Sequence, residues 1–191
     1  MNRRIMACAT FMLVGLLIFA GFNPRKVDVT ESVVVDAPRT EIWGAVTDFE
    51  GIFHRANDAH ILTEITSLPG TGFVDGLRFL QVETVGGIKG VLDGRVYDVF
   101  PPTRYRWSAE TTYSLLGIDI VDVFEGGNLR IERTRSEKGW RLSHRVYGVF
   151  PDSSKGRALS WFMSAFMDIE SDAAQHTRVE LEYVKRELEQ R

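Results

Sequence analysis

Apolar and polar residues alternate with a period of two through the middle of the chain, and a different pattern holds at each end. Val27 to Val35 is rich in β-branched residues and is closed by Asp36, Ala37 and Pro38, which predicts a strand. After Pro38, the residues Ile42, Trp43, Val46 and Phe49 recur at three- and four-residue spacing, and Glu41 suits the positive end of a helix dipole, so a short helix is predicted there. From 50 to 59 no period holds, and the Asn57, Asp58 pair predicts a loop or an abbreviated second helix. Strands are predicted over 60–66, 77–85, 89–99, 104–113, 129–135 and 140–150. Glycine and proline turn signals separate them, Gly126 with Gly127 among these, and 118–125 reads as a piece that extends a neighbouring strand. From 155 to 189 no proline or glycine follows Gly156, and Leu159, Phe162, Phe166, Ile169, Ala173, Leu181, Val184 and Leu188 fall close to a 3.6-residue period. One long amphipathic helix is predicted there.

This order implies an α+β domain over 27–191, in which a curled antiparallel sheet of about seven strands wraps a long C-terminal helix. A curved sheet and a straight helix leave a gap between them. Lined by apolar side chains, that gap suits an apolar small molecule.

The amino terminus is of another kind. Ile5 to Phe22 has Thr10 as its only clearly polar residue and would form roughly 27 Å of helix, just enough to cross a bilayer. Arg3 and Arg4 precede it, and Arg25 and Lys26 follow. Residues 1–26 therefore read as a single-pass membrane anchor with a short connector, which places the domain on the periplasmic or extracytoplasmic side. The alternative is secretion after signal cleavage, but Phe19 and Phe22 fit poorly where a cleavage site needs small residues. Cys8, the sole cysteine, reads as a small residue in this helix rather than a lipidation site, and it excludes a disulfide scaffold.

Composition narrows the function. The formal charge of the chain is −3, and beyond residue 22 it carries 21 basic against 26 acidic side chains, which disfavours nucleic acid as a partner. There is no Gly-x-Ser-x-Gly, no Walker A loop and no dinucleotide fingerprint, so the sequence calls for no cofactor. His54, Asp58 and His60 cluster in the 50–60 segment, but their spacing matches no established metal geometry. They read as polar residues of a solvated loop, and no metal is expected.

In the last predicted strand Trp140, Leu142, His144, Val146 and Phe150 share one parity, which turns His144 toward the cavity as a ligand-orienting group or a proton carrier. A core imidazole bonded to a backbone carbonyl is the plainer alternative. Arg133 shares a face with Leu129 and Ile131 and is a candidate for holding a carboxylate or phosphate head group, against the plainer reading of a surface arginine. Phe79, Tyr105, Trp107, Trp140, Phe162 and Phe166 are the aromatic candidates for the ligand wall. Glu83, Arg95 and Tyr97 lie on strands whose direction the pattern leaves open.

Two stretches carry a resemblance to a known superfamily. Residues 33–51, VVVDAPRTEIWGAVTDFEG, and residues 90–107, GVLDGRVYDVFPPTRYRW, are similar to the opening strand and helix, and to the paired central strands, of the START-related helix-grip proteins, also called SRPBCC. The resemblance implies a helix-grip fold and a cavity that binds a hydrophobic or lipid-like molecule, transported in some members. In others, of the polyketide cyclase type, it implies cyclisation or dehydration. The chain departs from plain bacterial members by its apolar amino-terminal segment, which suggests work at a membrane surface. A non-catalytic protein-interaction module is the third reading.

Overall fold

The computed structural model describes residues 26–68, 70, 72–85, 87–134 and 138–190. The expected membrane segment lies outside the described residues. Among those described, no helix is long and apolar enough to cross a membrane.

Seven antiparallel strands form one sheet in the order β1-β7-β6-β5-β4-β3-β2. They are β1 (Lys26–Val35), β2 (His60–Ile65), β3 (Arg78–Val85), β4 (Ile88–Phe100), β5 (Arg104–Leu115), β6 (Ile118–Arg133) and β7 (Trp140–Val149). Helix α1 (Arg39–Thr47) and a π-helical turn (Phe49–Phe53) connect β1 to β2, and α2 (Ser154–Phe166) and α3 (Ile169–Glu189) close the chain. The inward faces of β1, β4, β5, β6 and β7 supply Val35, Val96, Tyr105, Leu129 and Leu142, all buried against Ile42 and Val46 of α1 and Leu181 and Val184 of α3. Two exposed links fix α3 along β1: Arg178 donates to Glu31 at 3.0 and 3.2 Å, and Glu189 accepts from the Asp36 amide at 2.9 Å. A second apolar group, Ile88, Val121, Val123, Phe150 and Met163, seats α2 at the other end of the sheet.

Two expectations are corrected here. The predicted long helix is two helices, broken at Asp168, whose backbone is left-handed with φ 46°. No proline or glycine marks that break. Gly126 and Gly127 are not a turn but the buried middle of the 16-residue β6, and the structure shows why they are glycines. Gly127 pairs with Trp107 and Gly126 with Tyr147 across the sheet, and a Cβ on either would overlap the indole or the phenol lying over it. Gly127→Ala is expected to push the Trp107 indole off the strand and lower stability by about 1–3 kcal/mol. Urea unfolding and the near-ultraviolet circular dichroism of tryptophan check this. An unchanged midpoint with an unchanged tryptophan signal would show that the indole does not lie where described.

Candidate functional site

Between the sheet and α3 lies a cavity of about 130 Å³, walled mainly by apolar side chains that include Phe49, Phe53, Phe79, Leu92, Tyr105, Trp107 and Met163. Val27, at the start of β1, also lines it. The π-helical turn contributes Phe49 and Phe53, and Asp48 caps it by accepting from the Ile52 amide at 3.0 Å. Phe79 lies over Gly94, where a Cβ would overlap its ring, so the wall is aromatic because the facing strand is bare. The Tyr105 hydroxyl donates to the Val46 carbonyl at 3.2 Å, which ties β5 to α1 and spends the group on the fold.

Polar residues interrupt the apolar wall, several of them against α3. His176 and Glu180 are four residues apart on α3 and therefore share its inward face. His60 opens β2 beside a register shift, the kind of irregularity that re-aims a side chain, and Glu83 is its cross-strand partner on β3. Glu180, only 3% exposed, places Oε1 3.1 Å from the Nε2 of both His60 and His176, and those two nitrogens are 3.2 Å apart. Glu83 Oε2 stands 3.6 Å from His176 Nε2 and 3.9 Å from His60 Nε2, and accepts from Gln81 at 2.6 Å. His60, His176 and Glu180 are a donor set that can hold a metal ion.

His144 completes the group from β7. The Trp107 indole N–H donates to His144 Nε2 at 3.2 Å, which leaves the proton of the neutral ring on Nδ1. That nitrogen faces Glu180 Oε2 at 3.5 Å, too far for a good bond, and is a buried polar atom without a hydrogen-bond partner among the described residues. Glu125, also on the cavity wall, accepts from Tyr113 at 2.5 Å and from Thr111 at 2.9 Å.

The electrostatics follow from burial and proximity. Burial works to raise the Glu180 carboxyl, but the charge of His176 and the close imidazoles of His144, His176 and His60 outweigh it and hold the group well below its usual range. Burial likewise opposes the charge on His176, and Glu180, with Glu83 and Glu125 behind it, reverses the balance and pushes the imidazole up to about 9. For Glu125 the charge of His176 is the weakest of the influences. Burial and the nearby Glu83 raise it to about 7, against the hydrogen bonds from Tyr113 and Thr111.

Of the residues expected at the site, His144, Trp107, Tyr105 and Phe79 line the cavity. Arg133 is exposed at the end of β6, because the strand leaves the core after Ile131. Trp140 packs on the outside of the main core with the Arg39 guanidinium 4.8 Å over its ring, and Phe162 is 50% exposed on α2. The Phe166 side chain lies outside the described residues. His60 is not in a solvated loop but buried, with Nδ1 3.2 Å from the carbonyl oxygens of Phe53 and His54. The expected grouping with Asp58 is replaced by one with α3. Sequence reasoning missed His176 and Glu180. Their signal was a glutamate set among Thr177, Leu181 and Val184 on the apolar stripe of a helix, four residues after a histidine.

No protein-family profile matches the chain, and no curated protein does. Solved structures do. The Zhui aromatase/cyclase from Streptomyces sp. R1128 superposes with a TM-score of 0.61 at 16% identity, covering 87% of this chain and 96% of the other. A START superfamily protein from Mycobacterium smegmatis gives a TM-score of 0.60 at 14% identity over 85% and 97%. The di-domain aromatase/cyclase BexL gives 0.60 at 13% identity, and there the chain spans only 51% of the larger protein. With this sheet order, this C-terminal helix and these neighbours, the chain has the START-related helix-grip fold.

Proposed function

We propose that the domain holds a hydrophobic or lipid-like small molecule in the cavity, its polar end at His144, and that it works at a membrane surface. The observation that carries this is His144 Nδ1, a buried donor without a hydrogen-bond partner among the described residues, on the wall of a cavity lined mainly by apolar side chains. The cavity is roughly ten times the 10–15 Å³ that one ordered water needs, which speaks against a domain that merely fills itself and meets partners by its surface. A guest burying about 300 Å² of apolar surface would gain roughly 7 kcal/mol at ~25 cal/mol per Å², less the cost of immobilising it.

The full chain, purified and extracted with organic solvent, is expected to release an apolar compound detectable by mass spectrometry, and to take up a fluorescent fatty acid. Repeatedly empty extracts with no uptake of the probe would overturn the reading. Vesicles of mixed zwitterionic and anionic phospholipid test the membrane part: the full chain is expected to float with them, and a chain that stays in the aqueous fraction would remove it.

A cyclase or dehydratase reading draws on the same atoms. His144 is held in one tautomer by Trp107, and Glu125, at about 7, can give or take a proton near neutrality on the same cavity. His144→Gln separates the two readings. Turnover of a polyketide-like substrate would be abolished in an enzyme, whereas a binder would keep its affinity for the fatty-acid probe within a few-fold.

A further inference from the structure

We propose that His60, His176 and Glu180 form a binding site for a divalent transition-metal ion, zinc foremost, at the polar end of the cavity. Their three facing atoms make a nearly equilateral triangle with sides of 3.1, 3.1 and 3.2 Å. Ligand atoms about 2.1 Å from a common ion are about 3.0 Å apart at right angles and about 3.4 Å apart in a tetrahedron, so the triangle already has the size of one face of either polyhedron. Two imidazoles, one carboxylate and an open position make a donor set suited to zinc or ferrous ion.

The hydrogen bonding points the same way. His60 Nδ1 faces two carbonyl oxygens, which only an N–H can satisfy, so in the neutral ring Nε2 carries a lone pair into the triangle. Glu180 Oε1 brings only lone pairs to the same point. One proton on His176 can bond one of these atoms well, whereas a cation between them satisfies all three. The contacts behind His60 are those that orient a metal-ligating imidazole: the carbonyls of Phe53 and His54 on its Nδ1. Glu83 alongside supplies a second negative charge, so two neutral imidazoles and two carboxylates balance a doubly charged ion. His176, Glu180 and Glu83 face the cavity while His60 stands behind them, which turns the open position toward any guest.

The test uses the full chain in detergent, stripped with a chelator and titrated with Zn²⁺ by calorimetry and with Co²⁺ by absorbance. One equivalent of Zn²⁺ is expected, with intense Co²⁺ ligand-field bands of a low-coordinate site. His60→Gln and His176→Gln are each expected to weaken Zn²⁺ by more than the roughly 10- to 100-fold that loss of an outer-shell partner costs. His176 is the safer substitution because its side chain is 16% exposed, and the circular dichroism of the variant shows whether it is folded. Absence of uptake by the wild type, undiminished uptake by folded His176→Gln, or only the weak bands of fully hydrated Co²⁺ would each overturn the proposal and leave a triad held together by protons. The outcome is read without any organic guest, so it stands apart from whether the cavity binds one.

Discussion

Glu180→Ala should cost the metal-free protein about 3–5 kcal/mol, a large part of the 5–15 kcal/mol that holds a domain of ordinary stability together. The carboxylate is almost fully buried and is the common partner of His60, His176 and His144, so its removal strands buried nitrogens that no other carboxylate approaches as closely. The loss has two parts: a cavity where the side chain was, and the desolvation of an imidazolium no longer matched by charge. Glu180→Gln keeps the volume and removes only the charge, so it should lie between the wild type and Glu180→Ala. Urea unfolding at neutral pH with chelator present measures all three. Equal midpoints for the wild type and Glu180→Gln would show that the cluster carries no ionised pair.

The second large effect is a dependence on pH that opposes the usual one for carboxylates. Glu125 is raised to about 7 by burial and by Glu83, so the folded state prefers its protonated form. Stability from this group is fully present below the ordinary carboxyl value near 4.5 and is lost as pH rises through about 7. At the alkaline end the loss approaches about 3 kcal/mol, because each tenfold change in proton affinity on folding is worth about 1.4 kcal/mol. The groups facing it are Tyr113 and Thr111, which bond it, and Glu83 and His176, which act through charge. Glu125→Gln should remove the loss, leaving the variant more stable than the wild type at pH 8 and about equal to it at pH 5. A wild type whose unfolding midpoint is flat between pH 5 and 8, or a variant that follows it point for point, would contradict this account of the carboxyl.

The strands were legible because each has one buried face, and alternation survives wherever a sheet is covered on one side only. His144 was legible for the same reason: its parity with Leu142 and Val146 turns it inward, and the structure places it in the cavity wall. Gly126 and Gly127 were misread because glycine marks turns and close approaches alike, and only the cross-strand partners, Trp107 and Tyr147, tell which is meant. The division at Asp168 had no glycine or proline to mark it, because aspartate is among the few other residues that enter the left-handed region. The His60, His176, Glu180 group was hidden by distance along the chain. Each member has an ordinary local reading, as a loop histidine or as a charged helix face, and only the folding of α3 against the start of β2 brings them together.

Val27, as part of the cavity lining, fixes a further relation. Four residues of chain lie between it and Phe22, and the five steps that join them span at most about 18 Å even when fully extended. Any surface that captured Ile5 to Phe22 would hold the pocket on a leash shorter than a lipid bilayer is thick. Under the proposed function, a molecule leaving that surface would meet the cavity without the domain having to diffuse, and the rate of loading would then depend on reorientation of the domain rather than on its concentration.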